Sequence, residues 1–232
     1  MNFIEGEVLY FNKPLKWTSF ALVNKARWLL TRKVKVKKLK VGHAGTLDPL
    51  ATGVMIVCTG KATKRIEEFQ YHTKEYIATI QLGATTPSFD LEKEIDATYP
   101  TEHITRELVE ETLKKFIGSI EQIPPVFSAC KVEGKRAYDL ARAGKDVKLK
   151  PKTLVIDEIE LLDCNLPEIK IRVVCSKGTY IRALARDIGE ALNSGAHLTG
   201  LIRTRVGEVT LDRCLDIETF GEWLEQQEID EN

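Results

Sequence analysis

The stretch VGHAGTLDPLATG, residues 41 to 53, displays one carboxylate, Asp48, among glycines, small residues and a proline, with no second acid, cysteine or serine beside it. Three kinds of chemistry suit such a loop. As structure, Leu47-Asp48-Pro49 makes a turn, because proline fixes its own φ and restricts the residue before it, while aspartate bonds to nearby backbone. As a phosphate loop it fails: the run from Gly53 to Gly60-Lys61 is longer than the P-loop pattern allows, and Ala62 stands where a magnesium-binding Ser or Thr is required. As a nucleophile, a lone carboxylate is sufficient for covalent chemistry on a sugar or an electrophilic ring, and it needs neither metal nor cofactor.

Other reactive side chains point to no competing chemistry. The five cysteines, Cys58, Cys130, Cys164, Cys175 and Cys214, form no CxxC pair and are odd in number, which reads as reduced core residues rather than a disulfide framework or zinc knuckle. His43, His72, His103 and His197 lack metal-ligand spacing, so no metal site is expected. The formal charge is zero, yet residues 25 to 40 hold eight Lys or Arg and no acid, and residues 216 to 232 hold seven acids and no base. A basic arm immediately before the aspartate loop is the footprint of a phosphate-binding surface, or of a solvated helix end.

The elements that must position Asp48 alternate without repeats. VLYF (8 to 11) reads as a strand ended by Asn12-Lys13-Pro14, and Thr18 or Ser19 caps a helix whose Phe20, Val23, Ala26 and Leu30 share one face. Val54 to Cys58 reads as a buried strand, Ala62 to Phe69 as helical, and KEYIATIQLG as an alternating strand stopped at Gly83. A helix from about Arg106 to Ile117 stops at Gly118, before SIEQI and Pro124-Pro125. Residues 126 to 152 form a basic excursion with a short helix near Ala137 to Ala143. Two strands follow, TLVIDEIELL and IKIRVVCS, then a helix from Tyr180 to Leu192, a strand near VGEVTL and a final acidic helix within residues 216 to 232. Without regular crossover helices, this order predicts an α+β fold with a mixed, mainly antiparallel sheet flanked by helices.

GHAGTLDPLATG with CTGKATK, then KEYIATIQLG, CSKGTYIRALARDIG and GAHLTGLIRT resemble the successive motifs of the TruB-type bacterial tRNA pseudouridine synthases, from about Val8 to about Ile217. The resemblance implies a pseudouridine synthase catalytic fold over residues 1 to 232 as one domain, with a central RNA-binding cleft. It implies isomerisation of the T-loop uridine at position 55 of tRNA to pseudouridine, without cofactor. By resemblance Asp48 is the nucleophile, attacking either ribose C1′ or uracil C6, and Arg182 is the guanidinium that keeps it ionised; without the match Arg182 is an exposed helix arginine. Tyr76 corresponds to the tyrosine that stacks on the target base, Tyr180 and Leu201 to residues lining the uracil pocket, and His43 to the histidine that fills the space left by the flipped nucleotide. Residues 126 to 152, with Lys131, Lys135, Arg136, Arg142, Lys145, Lys148 and Lys150 and the glycines Gly134 and Gly144, take the place of the family's thumb loop.

Many members continue into a C-terminal RNA-binding domain of the PUA type, so the resemblance is to a short form whose contacts to the acceptor side are weaker or made otherwise. TTPSFDLEKE varies a threonine- and aspartate-rich stretch, though Asp90 remains, and its role is open. No secretory signal or membrane span is expected in MNFIEGEVLY or elsewhere, which reads as a cytoplasmic monomer acting on the T arm of tRNA. The alternatives are a synthase acting on another RNA stem-loop and a non-catalytic tRNA-folding chaperone. Intact Asp48, Tyr76 and Arg182 favour the enzyme.

Overall fold

The computed structural model describes the chain except for Ala129, Glu133, Gly134, residues 144–146 and residues 231–232, and except for the side chains of Lys131, Val132, Lys135, Arg136, Ala141 and Arg142. In chain order the elements are β1 (Val8–Lys13), α1 (Ser19–Lys33), β2 (Val41–His43), β3 (Ala51–Thr59), a 3-10 turn (Gly60–Arg65), α2 (Ile66–Tyr71), β4 (Lys74–Leu82), β5 (Ala84–Thr85), β6 (Ala97–Thr98) and α3 (Arg106–Lys114). They continue as β7 (Gly118–Gln122), β8 (Lys131–Val132), β9 (Lys135–Arg136), α4 (Ala137–Arg142), β10 (Lys152–Asn165), β11 (Glu168–Cys175), α5 (Ile181–Ala191), β12 (Ala196–Val206), β13 (Val209–Thr210), β14 (Leu215–Asp216) and α6 (Phe220–Glu225). Two compact units result, one of Met1–Tyr76 with Ile202–Asn232 and one of Ile77–Leu201; the chain passes between them within β4 and within β12.

In the first unit β1 lies between β3, antiparallel to it, and β14, parallel to it, while β2 and β13 pair antiparallel with β3 and β12. The pairing is therefore mixed, and β3 is buried along almost its whole length, as its apolar run VMIVC requires. Val54, Ile56, Cys58, Phe69, Val206 and Val209 close one core cluster beneath it. Helix α1 packs on β2 and α6. Thr18 caps it, its hydroxyl accepting from the Ala21 N–H at 3.0 Å. Its buried face is Ser19, Leu22, Val23, Ala26 and Leu30 rather than the expected set containing Phe20, which is 70% exposed. At about 100° per residue Phe20 lies at the edge of the arc centred on Ala26 and Leu30, and Ser19 takes the core position because the aspartate loop needs its hydroxyl.

In the second unit β10 pairs antiparallel with both β7 and β11, and α3 packs on β10 and α5. Helix α3 ends at Lys114, three residues before the expected Ile117. The segment AHLTGLIRTRV, whose alternation is interrupted by Gly200 and by two arginines, is an eleven-residue strand that periodicity did not reveal. The acidic C-terminal stretch is helical only over Phe220–Glu225, and Phe220 and Leu224 anchor it. All five cysteines are free thiols, but only Cys58 and Cys175 are buried; the other three are half-buried, so the expected core role fails for them. Among the described residues no helix is long and apolar enough to cross a membrane.

Candidate active site

Asp48 sits in the first unit on the connection from β2 to β3, half-buried, in a turn closed by the Ala51 N–H donating to the Asp48 carbonyl at 3.0 Å. The loop is tied down from several sides. Ser19 Oγ donates to the Leu47 carbonyl at 3.0 Å and accepts from the Leu47 N–H at 2.9 Å, so the residue before Asp48 is bolted to the first turn of α1. The Lys16 N–H donates to the Pro49 carbonyl at 2.7 Å, which fixes the residue after it. Such redundancy holds a carboxylate in one geometry before substrate arrives.

Two buried cations surround this loop, and sequence reading had assigned neither a role. Lys13, fully buried, ends β1 and donates from Nζ to the carbonyls of Pro14 (2.9 Å), Trp17 (2.6 Å) and Pro49 (3.5 Å). Burial lowers its pKa to about 8; the Asp48 charge pulls it up and the Arg203 charge pulls it down. Arg203, 3% exposed in β12, donates from Nε to the Val54 carbonyl at 2.8 Å, from Nη2 to Gly45 at 3.1 Å and from Nη1 to Thr46 at 3.5 Å. It thus spans both ends of the aspartate loop. Gly53, at φ +116°, is required there, because a Cβ would stand 2.2 Å from the Arg203 carbonyl oxygen. The signal for Arg203 was present in GAHLTGLIRT as a charged residue between apolar ones; for Lys13 it was the turn NKP, read only as punctuation.

His43, at the end of β2, stands on the same loop. Burial, then Arg203, lower its pKa from the ordinary 6.5, with the Gly45 backbone opposing them, and its Nδ1 is buried without a hydrogen bond. A neutral imidazole at pH 7 follows. Tyr76 is buried in β4, at the limit of the first unit.

The second unit holds Tyr180, Arg182 and Leu201. Arg182 is not the exposed helix arginine that the residue alone suggested: it is 4% exposed in the first turn of α5. Its Nη1 donates to the Ser88 carbonyl at 3.2 Å, Nη2 donates to the Phe127 carbonyl at 3.0 Å, and Nε lies 3.9 Å from Asp90 Oδ2. The segment TTPSFDLEKE therefore builds a platform for this guanidinium. Asp90 is itself held, its Oδ1 accepting from the Glu92 N–H at 2.9 Å, while Thr86 Oγ1 donates to its carbonyl at 2.6 Å. Tyr180 is the N-cap residue of α5, its N–H donating to Gln122 Oε1 at 2.9 Å and its carbonyl accepting from Gln122 Nε2 at 3.2 Å. Burial raises the Tyr180 pKa, against a hydrogen bond with Ser128. Leu201 is half-buried in β12. The structure thus joins Asp48 with His43 on one loop and Tyr180 with Arg182 on one helix start.

Of the basic segments, residues 25 to 40 have one cation engaged by the acidic C-terminal stretch, Lys33 Nζ at the end of α1 meeting Glu225 Oε2 at 3.0 Å. In the excursion, Gly134, Gly144 and Lys145 and the side chains of Lys131, Lys135, Arg136 and Arg142 lie outside the described residues, whereas Lys148 and Lys150 are described and both are exposed. The Phe127 and Tyr138 rings meet edge to face at 6.4 Å at its base.

Comparison with known proteins completes the picture. The model of the TruB family pseudouridylate synthase (N terminal domain) matches residues 31–181, and that of the tRNA pseudouridylate synthase B C-terminal domain matches residues 182–232. A tRNA pseudouridine synthase B of Phocaeicola vulgatus is 85% identical over 231 residues, covering 100% of this chain and 98% of that protein. One of Flavobacterium johnsoniae is 55% identical over 224 residues, covering 96% and 98%. Among solved structures, a chain of a Cbf5-Nop10-Gar1 complex is 27% identical with a TM-score of 0.70 over 96% of this chain; this chain spans only 55% of that one. A chain of an H/ACA RNP bound to a substrate RNA containing 2'-deoxyuridine is 26% identical with a TM-score of 0.67, over 96% of this chain and 56% of that one.

Proposed function

This chain belongs to the TruB family of pseudouridylate synthases, and from that premise we propose that it converts one uridine in the T loop of tRNA, at position 55, to pseudouridine. The observation that carries the reading is the Asp48 loop, bonded to α1 through Ser19, to Lys13 through Pro49 and to Arg203 through Gly45 and Thr46. A lone carboxylate immobilised to this degree suits a reaction in which one group is attacked, released and attacked again within a single pocket. In that reaction the N1–C1′ glycosidic bond breaks, the uracil turns, C5 bonds to C1′, the C5 proton leaves and N1 takes one up, so atoms balance without a cofactor.

Asp48 is the nucleophile in this proposal, and the two arginine sites hold the protein's side of the chemistry. Arg182 supplies a positive charge to the chemistry, and Asp90 orients Arg182. Tyr76 stacks on the uracil, Tyr180 and Leu201 line its slot, and neutral His43 props the RNA loop after the uridine has flipped, a step that costs a few kcal/mol. Phosphate contacts from the basic arm and from the excursion at 126 to 152 offset that cost. The T arm is the bound element, the enzyme acts as a monomer and the setting is the cytoplasm.

The test is incubation of the protein with an unmodified tRNA transcript, followed by carbodiimide-dependent primer extension to map pseudouridine. One strong stop in the T loop is expected. Asp48→Asn, nearly isosteric, loses roughly a thousandfold or more in turnover while tRNA binding persists, since phosphate contacts lie elsewhere. Appreciable turnover by this variant would remove Asp48 from its role.

A further inference from the structure

We propose that Lys16 and Phe20 form an RNA subsite beside the nucleophile loop, taking the phosphate and the base of a nucleotide that flanks the flipped uridine. The inference rests on the reading above that the chain acts on a structured RNA; the two residues themselves are argued from geometry.

Lys16 has φ +67°, a left-handed conformation that side chains with a Cβ rarely adopt and that glycine adopts freely. The strain sits in the turn after β1, where the Trp17 N–H donates to the Pro14 carbonyl at 3.4 Å and the Lys16 N–H donates to the Pro49 carbonyl at 2.7 Å. Glycine would make the same two backbone bonds without strain, so folding gives no reason for a lysine here. Its side chain is exposed and makes no ion pair among the described residues. Strain of this kind is kept where the side chain has work to do.

Phe20 follows Ser19, the residue bolted to Leu47, and at 70% it is more exposed than any other large apolar side chain among the described residues. Helical side chains lean toward the N-terminus, the end of α1 that Lys16 and Leu15, 53% exposed, precede in the chain. One apolar ring and one cation are thereby held within a few residues of Pro49, the neighbour of Asp48. Flipping a uridine strips its flanking bases of a stacking partner, and an exposed aromatic face replaces that partner whatever the base, while an ammonium meets the phosphate next to it. Charge selects RNA over an apolar protein partner as the occupant.

The test compares wild type, Lys16→Gly and Phe20→Ala by thermal unfolding, by tRNA binding across a salt series and by steady-state pseudouridine formation. Lys16→Gly is expected to unfold at the same or a higher temperature yet bind several-fold more weakly, with a log Kd against log salt slope shallower by about one. Phe20→Ala is expected to raise KM roughly tenfold with kcat unchanged, and to lose that effect on a transcript abasic at the nucleotides flanking the target. Earlier unfolding of Lys16→Gly, or wild-type binding by both variants at all salts, would overturn the subsite. Should wild type form no pseudouridine while the binding differences persist, the reaction assignment falls and the RNA subsite stands.

Discussion

Arg203 and Arg182 are buried to nearly the same degree, 3% and 4%, but they are built into opposite electrostatic settings. Arg203 spends its guanidinium on the carbonyls of Gly45, Thr46 and Val54, with no carboxylate within ion-pair distance among the described residues, and its field lowers the pKa of both His43 and Lys13. Arg182 also bonds carbonyls, of Ser88 and Phe127, but has Asp90 at 3.9 Å. One region therefore carries an excess of positive charge around an aspartate loop, and the other carries a cation partly matched by an acid. A charge bonded to backbone dipoles clamps a loop and tunes its neighbours; a charge matched by a carboxylate is aimed.

The contrast breaks most visibly on removal of each guanidinium. Arg182→Met leaves the Asp90 carboxylate buried and should cost about 3 to 5 kcal/mol in denaturant unfolding. Adding Asp90→Asn should recover much of that loss, while activity stays low. Arg203→Met removes the donor from the buried Val54 carbonyl and from the more accessible carbonyls of Gly45 and Thr46, and should cost about 1 to 3 kcal/mol, with no acid whose removal restores it. Equal rescue at both sites, or at neither, would erase the distinction.

A smaller effect sharpens it through Lys13. Its folded pKa of about 8 lies below the ordinary 10.5, so between those values the unfolded chain binds more protons than the folded one. This lysine therefore makes stability rise with pH across that window and carries a penalty below it, and Lys13→Met should flatten the rise. Because Asp48 holds the pKa up and Arg203 holds it down, Asp48→Asn should move the Lys13 Nζ titration, followed by NMR, lower, and Arg203→Met should move it higher.

The smallest expected change concerns His43. With its pKa already below 6.5, the rate should show no step near that pH that disappears in His43→Ala. The variant should slow reaction on a structured T arm far more than on a short, poorly stacked RNA carrying the same uridine. Equal losses on both would make His43 a support for the Asp48 loop.

The elements whose burial follows period two or an unbroken apolar run were legible in sequence: β1, β3 and β4 fall where alternation and the VMIVC run put them. Asp48, with its proline turn, was legible for the same reason, since the turn chemistry is local. What escaped were charges that become core residues. Arg182 read as an exposed helix arginine, Lys13 as part of a turn, and Arg203 drew no reading; the carbonyls that receive the two arginines come from segments far away in the chain, and Lys13 joins its local Pro14 and Trp17 carbonyls to the distant Pro49. The strand β12 was missed through the same blindness, as buried Arg203 breaks its apolar pattern. Phe20 failed in the opposite direction: an aromatic at helical spacing looked like core and is surface.

The first unit is discontinuous, Met1–Tyr76 being completed by Ile202–Asn232, and β1 has β14 as its parallel neighbour. During synthesis the intervening segment Ile77–Leu201 leaves the ribosome and is free to fold while the aspartate loop still lacks Arg203. Until Arg203 is made, the loop has its bonds to Ser19, Lys16 and Lys13 but not the clamp from β12. The order of the chain thus sets the order in which the loop is fastened, the segments before it first and β12 last.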